Sequence, residues 1–293
     1  MVGRLRRLFG RQARAAARKA AAEQAAIRQY LHEGRRPWAP GYLLFRDRFI
    51  AQCLADPELL ETFRSGKPLP AGHGPHLDER AVEFPWVLAQ LAGCGNRVLD
   101  AGSTLNHAFL LDHLILKARN LVIYTLSPEQ VISRASISYV YGDLRSTILR
   151  DGCMDAVACV STLEHVGMDN TLLYTADAAF NECSLTDYRQ VVAEFRRVLR
   201  PGGVALITVP FGRRMNLGWA QQFDRTGIDD IVRTFGGRLE EARYYRYRPD
   251  GWVLATAEEC ADCEYFDIHS ATEHAADFAA AARAVACLRL VRP

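Results

Sequence analysis

The chain has 293 residues, a formal net charge of +2, and a composition 49% hydrophobic and 24% charged, which excludes a disordered chain and suits one α/β core of ~200–250 residues behind an N-terminal extension. No run reaches the ~18–20 apolar residues of a membrane span, and the first residues lack the apolar stretch and cleavage site of a secretory signal, so a cytoplasmic protein is expected. Eight scattered cysteines, several in apolar runs such as Met154-Asp-Ala-Val-Ala-Cys159-Val, favour reduced, buried thiols over a disulfide framework.

The basic charge is concentrated at the start. Residues 1–40 contain ten Lys or Arg against Glu23 and Glu33, so that segment carries +8 and the remainder about −6. Arg4, Arg7, Arg11, Arg14 and Arg18 recur at steps of three and four, which places them on one stripe of a helix, with Leu5, Phe9, Ala16, Ala20 and Ile27 on the other face. Residues 1–33 are therefore read as a basic amphipathic helix. Through Leu5, Leu8 and Phe9 its first 30 residues could lie peripherally on an anionic membrane; against that, an apolar face made mostly of alanine anchors poorly and suits a solvated helix.

Residues 34–80 read as a linker, Gly-Arg-Arg-Pro-Trp-Ala-Pro-Gly, followed by a helical cover over Tyr42–Leu54 and Pro57–Arg64 and a Gly/Pro-rich loop from Ser65 to Pro75. From residue 81 to 293, short apolar runs alternate with stretches of helical period, the pattern of a mostly parallel sheet with helices on both faces. Strands are expected at Arg97–Ala101, Leu121–Leu126, Ser138–Tyr141, Ala156–Val160 and Val204–Val209, then at Tyr244–Arg248 or Trp252–Ala255, and at Ala284–Val291. The clearest helix is Asp187–Leu199, with Thr186 as its expected N-cap and Pro201-Gly202-Gly203 as its stop.

In such a sheet ligands bind beyond the carboxyl ends of the strands. The first strand ends Val98-Leu-Asp100-Ala-Gly102-Ser103-Thr104-Leu-Asn106. The second runs into Ser127-Pro-Glu129, the third into Tyr141-Gly-Asp143-Leu144, and the fourth is embedded in Asp151-Gly-Cys-Met-Asp155-Ala-Val-Ala-Cys-Val160-Ser161-Thr162-Leu-Glu164-His165-Val166. Phe195-Arg-Arg-Val-Leu-Arg-Pro-Gly-Gly203 then leads into the fifth.

Taken together, and at spacings that fit whole β–α units, these segments resemble class I S-adenosylmethionine-dependent methyltransferases over about 110 residues. The resemblance implies a Rossmann-like methyltransferase fold with a seven-stranded sheet, S-adenosyl-L-methionine as cofactor, and methyl transfer as the activity. It further implies that Asp100, Gly102 and Ser103 hold the amino-acid end of the cofactor and that Asp143 and Leu144 hold its adenine. Ser161 to His165 would border the reaction centre, with Ser161 and Thr162 against the cofactor and Glu164 and His165 as candidates for acid/base work.

The chain departs from the family in two places. Thr104 and Asn106 stand where later glycines are usual, and Thr125 stands where an acid commonly pairs with the ribose hydroxyls, leaving that clamp absent or supplied by Glu129. These departures favour an alternative, a non-catalytic methyltransferase-fold binding protein that could sit at a membrane through its N-terminal helix.

The amine-binding Asn/Asp-Pro-Pro-aromatic turn of enzymes that methylate nucleobase amino groups is replaced by Ser161-Thr162-Leu163-Glu164, which argues against a nucleic-acid acceptor. An oxygen of a small molecule, sugar or glycan is expected instead. The Arg- and aromatic-rich stretch from Pro210 to Trp252 resembles bacterial methyltransferases associated with surface polysaccharide pathways, since arginine can grip anions bidentately and aromatic faces can stack on sugars. His107, Asp169 and Asp224 are weaker candidates for the acceptor pocket. Cys260 and Cys263 with His269 and His274 lack the spacing of a common zinc site, and no metal is expected there.

Overall fold

The computed structural model describes residues 2–293, except that the side chains of residues 1–13, 15 and 16 lie outside the described residues. Leu5, Leu8, Phe9 and Ala16, and Arg4, Arg7 and Arg11 of the expected stripe, fall in that part. The first helix, α1 (Val2–His32), exposes Arg14 and Arg18 and buries Ile27 and Tyr30. It is fastened at its carboxyl end, where Tyr30 meets Tyr42 edge-on at 6.0 Å and Phe45 at 5.4 Å.

The following segment is docked rather than free. Trp38 packs on Tyr42 at 4.8 Å, and its indole N–H donates to the carbonyl of Ala280 at 2.8 Å. Helix α2 (Tyr42–Ala55) leads into α3 (Pro57–Ser65), whose start is set locally. Asp56 accepts from the N–H groups of Glu58 and Leu59 at 2.9 and 3.2 Å, and Pro57 takes the first turn, where its missing N–H costs nothing.

Helix α4 (Arg80–Leu91) buries every residue from Ala81 to Leu91, which its near-continuous apolar sequence requires. Pro85 inside it removes the N–H that would have paired with Ala81, and His73 Nε2 fills the gap by hydrogen-bonding the Ala81 carbonyl at 3.0 Å.

The core then runs β1 (Arg97–Ala101), the short helices α5 (Ala108–Leu111) and α6 (Leu114–Lys117), β2 (Asn120–Thr125), β3 (Ile137–Tyr141), β4 (Met154–Val160), α7 (Tyr188–Val198) and β5 (Leu199–Pro210). A minor hairpin, β6 (Met215–Asn216) and β7 (Gln221–Gln222), precedes α8 (Arg225–Phe235), β8 (Arg238–Arg248), β9 (Gly251–Ala255), α9 (Ala257–Cys260) and β10 (Ala284–Val291). The main sheet has the order β3-β2-β1-β4-β5-β10-β8-β9. Its pairings from β3 to β5 are parallel, and β10, β8 and β9 are joined antiparallel.

Strands alternate between two apolar layers. Val98, Ala156, Ala158, Val160, Val204 and Leu206 point to the side covered by α2 to α4, while Leu99, Val157, Cys159, Ala205, Ile207 and Val209 point to α7 and α8. The chain winds outward from β1 to β3, then returns to β4 on the other side of β1. That reversal opens a crevice beyond the carboxyl ends of β1 and β4.

Three expectations are corrected. The sheet has eight strands, not seven, because both late segments form strands and pair as a hairpin from Arg248–Gly251 to Tyr244–Ala255. The helix expected over Asp187–Leu199 ends at Val198, since Leu199 is already extended and pairs with Met154; and Thr186 is not its cap, the flanking residue being Asp187 with no side-chain capping bond. Finally, the connection from β2 to β3 is a loop without a helix.

Candidate active site

The turn after β1 is built on backbone geometry. Gly102 adopts φ +105° and Ser103 φ +59°. A side chain at position 102 would overlap Thr162, so the glycine is required both by conformation and by close approach. Asp100 is fully buried beneath this turn. Its Oδ2 accepts from the Leu105 N–H at 3.1 Å, its Oδ1 has no partner among the described residues, and burial holds its carboxyl well above the usual range. It braces the turn from below and does not line the crevice, whereas Gly102 and Ser103 do.

The two residues that replace glycines each have a structural task. Thr104 Oγ1 donates to the carbonyl of Val160 at 2.9 Å, tying the turn to the end of β4. Asn106 Nδ2 donates to Glu129 Oε2 at 3.1 Å and to the Gln130 carbonyl at 2.9 Å, and its Oδ1 accepts from Tyr139 at 2.8 Å. The loop after β2 is thereby drawn over the turn, with Glu129 also accepting from Ser103 Oγ. Thr125 is buried at the end of β2 and only reaches the Ser127 carbonyl, at 3.4 Å. Glu129, on the loop after the strand, lines the crevice beside Thr125.

At the end of β3, Asp143 and Leu144 line the crevice. The Asp143 carboxylate is gripped by Arg145, whose Nε and Nη2 donate to Oδ2 at 2.9 and 2.7 Å; the same guanidinium reaches Glu182 at 2.7 Å and Asp187 at 2.8 Å. Arg145 therefore fixes this corner to the segment before α7.

Beyond β4, Ser161 stands at φ +40°, a conformation rare for any residue with a side chain. It is held there by bonds from its N–H to the Thr208 carbonyl at 3.0 Å and Thr208 Oγ1 at 3.1 Å, and from its Oγ to Glu83 Oε1 at 2.7 Å. Thr162 and His165 line the crevice with it. The His165 Nδ1–H donates to the Trp219 carbonyl at 3.1 Å, which leaves Nε2 as the acceptor, 3.3 Å from Tyr174 Oη. Burial lowers the pKa of this imidazole to about 4, so it is neutral near pH 7. Glu164 points away. It is buried behind the site, does not line the crevice, leaves Oε2 unpartnered among the described residues, and is pushed well above the usual carboxyl range by burial.

The opposite wall comes from the N-terminal helices. Arg46 and Arg80 face the same space. Arg46 spends each of its nitrogens on neighbours, Nη1 on Asp78 at 2.8 Å and Nε and Nη2 on Asp47 at 3.1 and 3.0 Å. Arg80 Nη1 is bound to Glu83 Oε2, while Glu83 Oε1 accepts from both Ser161 and Thr208, each at 2.7 Å. These residues have no local motif. The signal in the sequence is Glu83 itself, one carboxylate inside an apolar helix, which must have a buried partner.

The side chains named along both walls enclose a cavity of about 530 Å³, within the ~300–1,000 Å³ range of small-molecule sites. His107 joins its lining. Asp169 and Asp224 do not; they cap helical turns, accepting from the N–H of Thr171 and of Gly227, each at 2.9 Å. The aromatic stretch expected to stack on sugars is core: Tyr244, Tyr245, Tyr247 and Trp252 are buried in β8 and β9 and take no part in the cavity. Cys260 and Cys263 are likewise buried in the apolar layer beside α8, and no group of three metal-ligating side chains occurs among the described residues.

Residues 99–207 match the family described as methyltransferase domain. No curated protein matches the chain. Among solved structures, it is similar to the YcgJ protein of Bacillus subtilis (11% identity, 72% of this chain and 97% of that one, TM-score 0.45). It is also similar to the Burkholderia thailandensis 1,6-didemethyltoxoflavin-N1-methyltransferase solved with S-adenosylhomocysteine (11% identity, 82% and 88%, TM-score 0.44). A third is an S-adenosylmethionine-dependent methyltransferase of Thermotoga maritima (14% identity, 84% and 99%, TM-score 0.42). At these scores none of the three bears on the acceptor. The matched segment spans β1 to β5, the strands that carry the glycine turn, Glu129, Asp143 and His165. Residues 99–207 thus form a methyltransferase domain, and its cofactor is S-adenosylmethionine.

Proposed function

We propose that the cavity seats the cofactor along its strand-end wall and presents its methyl group to an oxygen of a small hydroxylated acceptor, a sugar included. The lining fits such a group in order along its length. Leu144 offers an apolar surface and Asp143 an acceptor at the adenine end, Glu129 has lone pairs left for ribose hydroxyls, and the open turn at Gly102 and Ser103 admits the amino-acid end. Bound there, the cofactor supplies a methyl group on a positively charged sulfur, reactive enough that orientation and exclusion of water do much of the work.

The observation that carries the oxygen reading is His165. Its tautomer is fixed by Trp219 so that a neutral Nε2 faces the cavity beside Tyr174, an arrangement that accepts a hydrogen bond from a hydroxyl and aims the oxygen. A pKa pulled down to about 4 suits orientation better than strong base catalysis. Glu164 acts as a buried buttress behind it. The buried tyrosines of β8 lend no support to a glycan, so any sugar preference rests on the polar cavity lining alone.

The test is transfer of labelled methyl from S-adenosylmethionine to a panel of hydroxylated small molecules and sugars, with the product's linkage read by mass spectrometry and nuclear magnetic resonance. Label recovered as a methyl ether or ester is the expected result. Label on nitrogen would overturn the reading. His165→Ala should lower turnover and leave S-adenosylhomocysteine binding nearly intact.

A further inference from the structure

Gly102, Ser103 and Thr162, where the cofactor's amino-acid end would lie, supply no cation, and Asp100 lies beneath the turn and out of the cavity. That end carries a carboxylate, which costs several kcal/mol to desolvate without a partner. A cation lies across the crevice. We propose that Arg80 of α4 is the carboxylate-binding subsite for the cofactor, held in place by the buried Glu83; this rests on the cofactor placement proposed above.

Three observations carry the assignment. Arg80 lines the same cavity as Gly102, Ser103 and Thr162, and its side chain is 20% exposed. Among the described residues nothing accepts from its Nε or Nη2, whereas every nitrogen of Arg46 is engaged. Two adjacent N–H donors on a planar guanidinium match a carboxylate bidentately. Glu83 does not compete for that role. One oxygen holds Nη1 of Arg80, the other takes Ser161 and Thr208, and the side chain is fully buried. Glu79 lies 3.5 Å from the same Nη1 and is pushed by burial up to about 8, and Asp78 and Glu164 act on Arg80 from further off. Glu83 is thus a positioning residue: it locks one nitrogen of Arg80 and leaves the other two for a ligand.

The experiment compares calorimetric binding of S-adenosylhomocysteine with that of its decarboxylated analogue, S-adenosyl-3-thiopropylamine, which keeps the amine and lacks only the carboxylate. The wild-type chain should prefer the carboxylated ligand by roughly 10–100-fold, the worth of a charge-assisted bidentate contact. Arg80→Met should abolish that preference while leaving the analogue's affinity within about threefold, and Arg80→Lys, which keeps the charge and loses the fork, should retain a part of it. Glu83→Gln should reduce the preference less than Arg80→Met. Equal affinity of the wild-type chain for the two ligands overturns the inference with no variant needed, so a misfolded Arg80→Met does not shelter it. A preference that survives in Arg80→Lys and Arg80→Met alike also overturns it. Binding of neither ligand by the wild-type chain would instead defeat the cofactor placement on which the inference depends.

Discussion

The two walls of the cavity are built by opposite means. The strand-end wall uses backbone turns and short polar tethers: Gly102 and Ser103 in left-handed conformations, Thr104 and Asn106 as tethers, and Glu129 delivered on a loop. The α4 wall uses charges sunk in an apolar helix, Arg80 on Glu83 and Glu83 on Ser161 and Thr208. A turn fails locally when one bond is lost. A buried ion set fails as a unit, because removing one partner leaves the others desolvated and unpaired.

The largest expected effect sharpens that contrast. Glu83→Ala should cost about 3–5 kcal/mol of unfolding free energy in urea titration, since it strands Arg80, Ser161 and Thr208 together, and Glu83→Gln should cost less than half as much. A loss below 1 kcal/mol would erase the distinction between the walls. Next, Gly102→Ala on the opposite wall should weaken S-adenosylhomocysteine binding by at least tenfold in calorimetry while the domain remains folded, because the new Cβ meets Thr162 and the φ of +105° disfavours it.

His165 provides a pH test between these extremes. Its pKa is lowered in the folded chain to about 4 from an ordinary 6.5, so between those values the unfolded chain binds more protons and stability rises with pH. The contribution is fully present above about pH 6.5 and lost as pH falls toward 4, on the order of 3 kcal/mol. His165→Asn should flatten that limb of the stability profile measured by thermal denaturation. The smallest effect is at Asp224, where loss of the cap on α8 by Asp224→Ala should cost about 1 kcal/mol and leave cofactor binding unchanged.

The same division decides what the sequence discloses. Parallel strands β1 to β5 are legible because short apolar runs and the turns that end them are local, and Gly102, Ser103, Glu129, Asp143, Leu144, Thr162 and His165 do line the cavity. Asp100 and Glu164 stand at the right places in the chain, yet burial turns them away, a property that depends on what packs over them. Arg46, Arg145 and Glu83 acquire their positions from partners 32 to 125 residues distant, such as Glu83 from Thr208, and Arg80 from Glu83 so anchored. The aromatic residues of β8 mislead for a related reason: a run of Tyr and Arg looks like a binding surface until the sheet pairs it with β10 and buries it.

The tether from Asn106 to Glu129 has an evolutionary consequence. Because Asn106 braces the loop that carries Glu129, the place of that acid depends on the residue at 106. A relative that regains glycine at 106 is expected to carry its acid at the position of Thr125. The same exchange made by design, Asn106→Gly with Thr125→Asp, would move the acid from loop to strand within one fold.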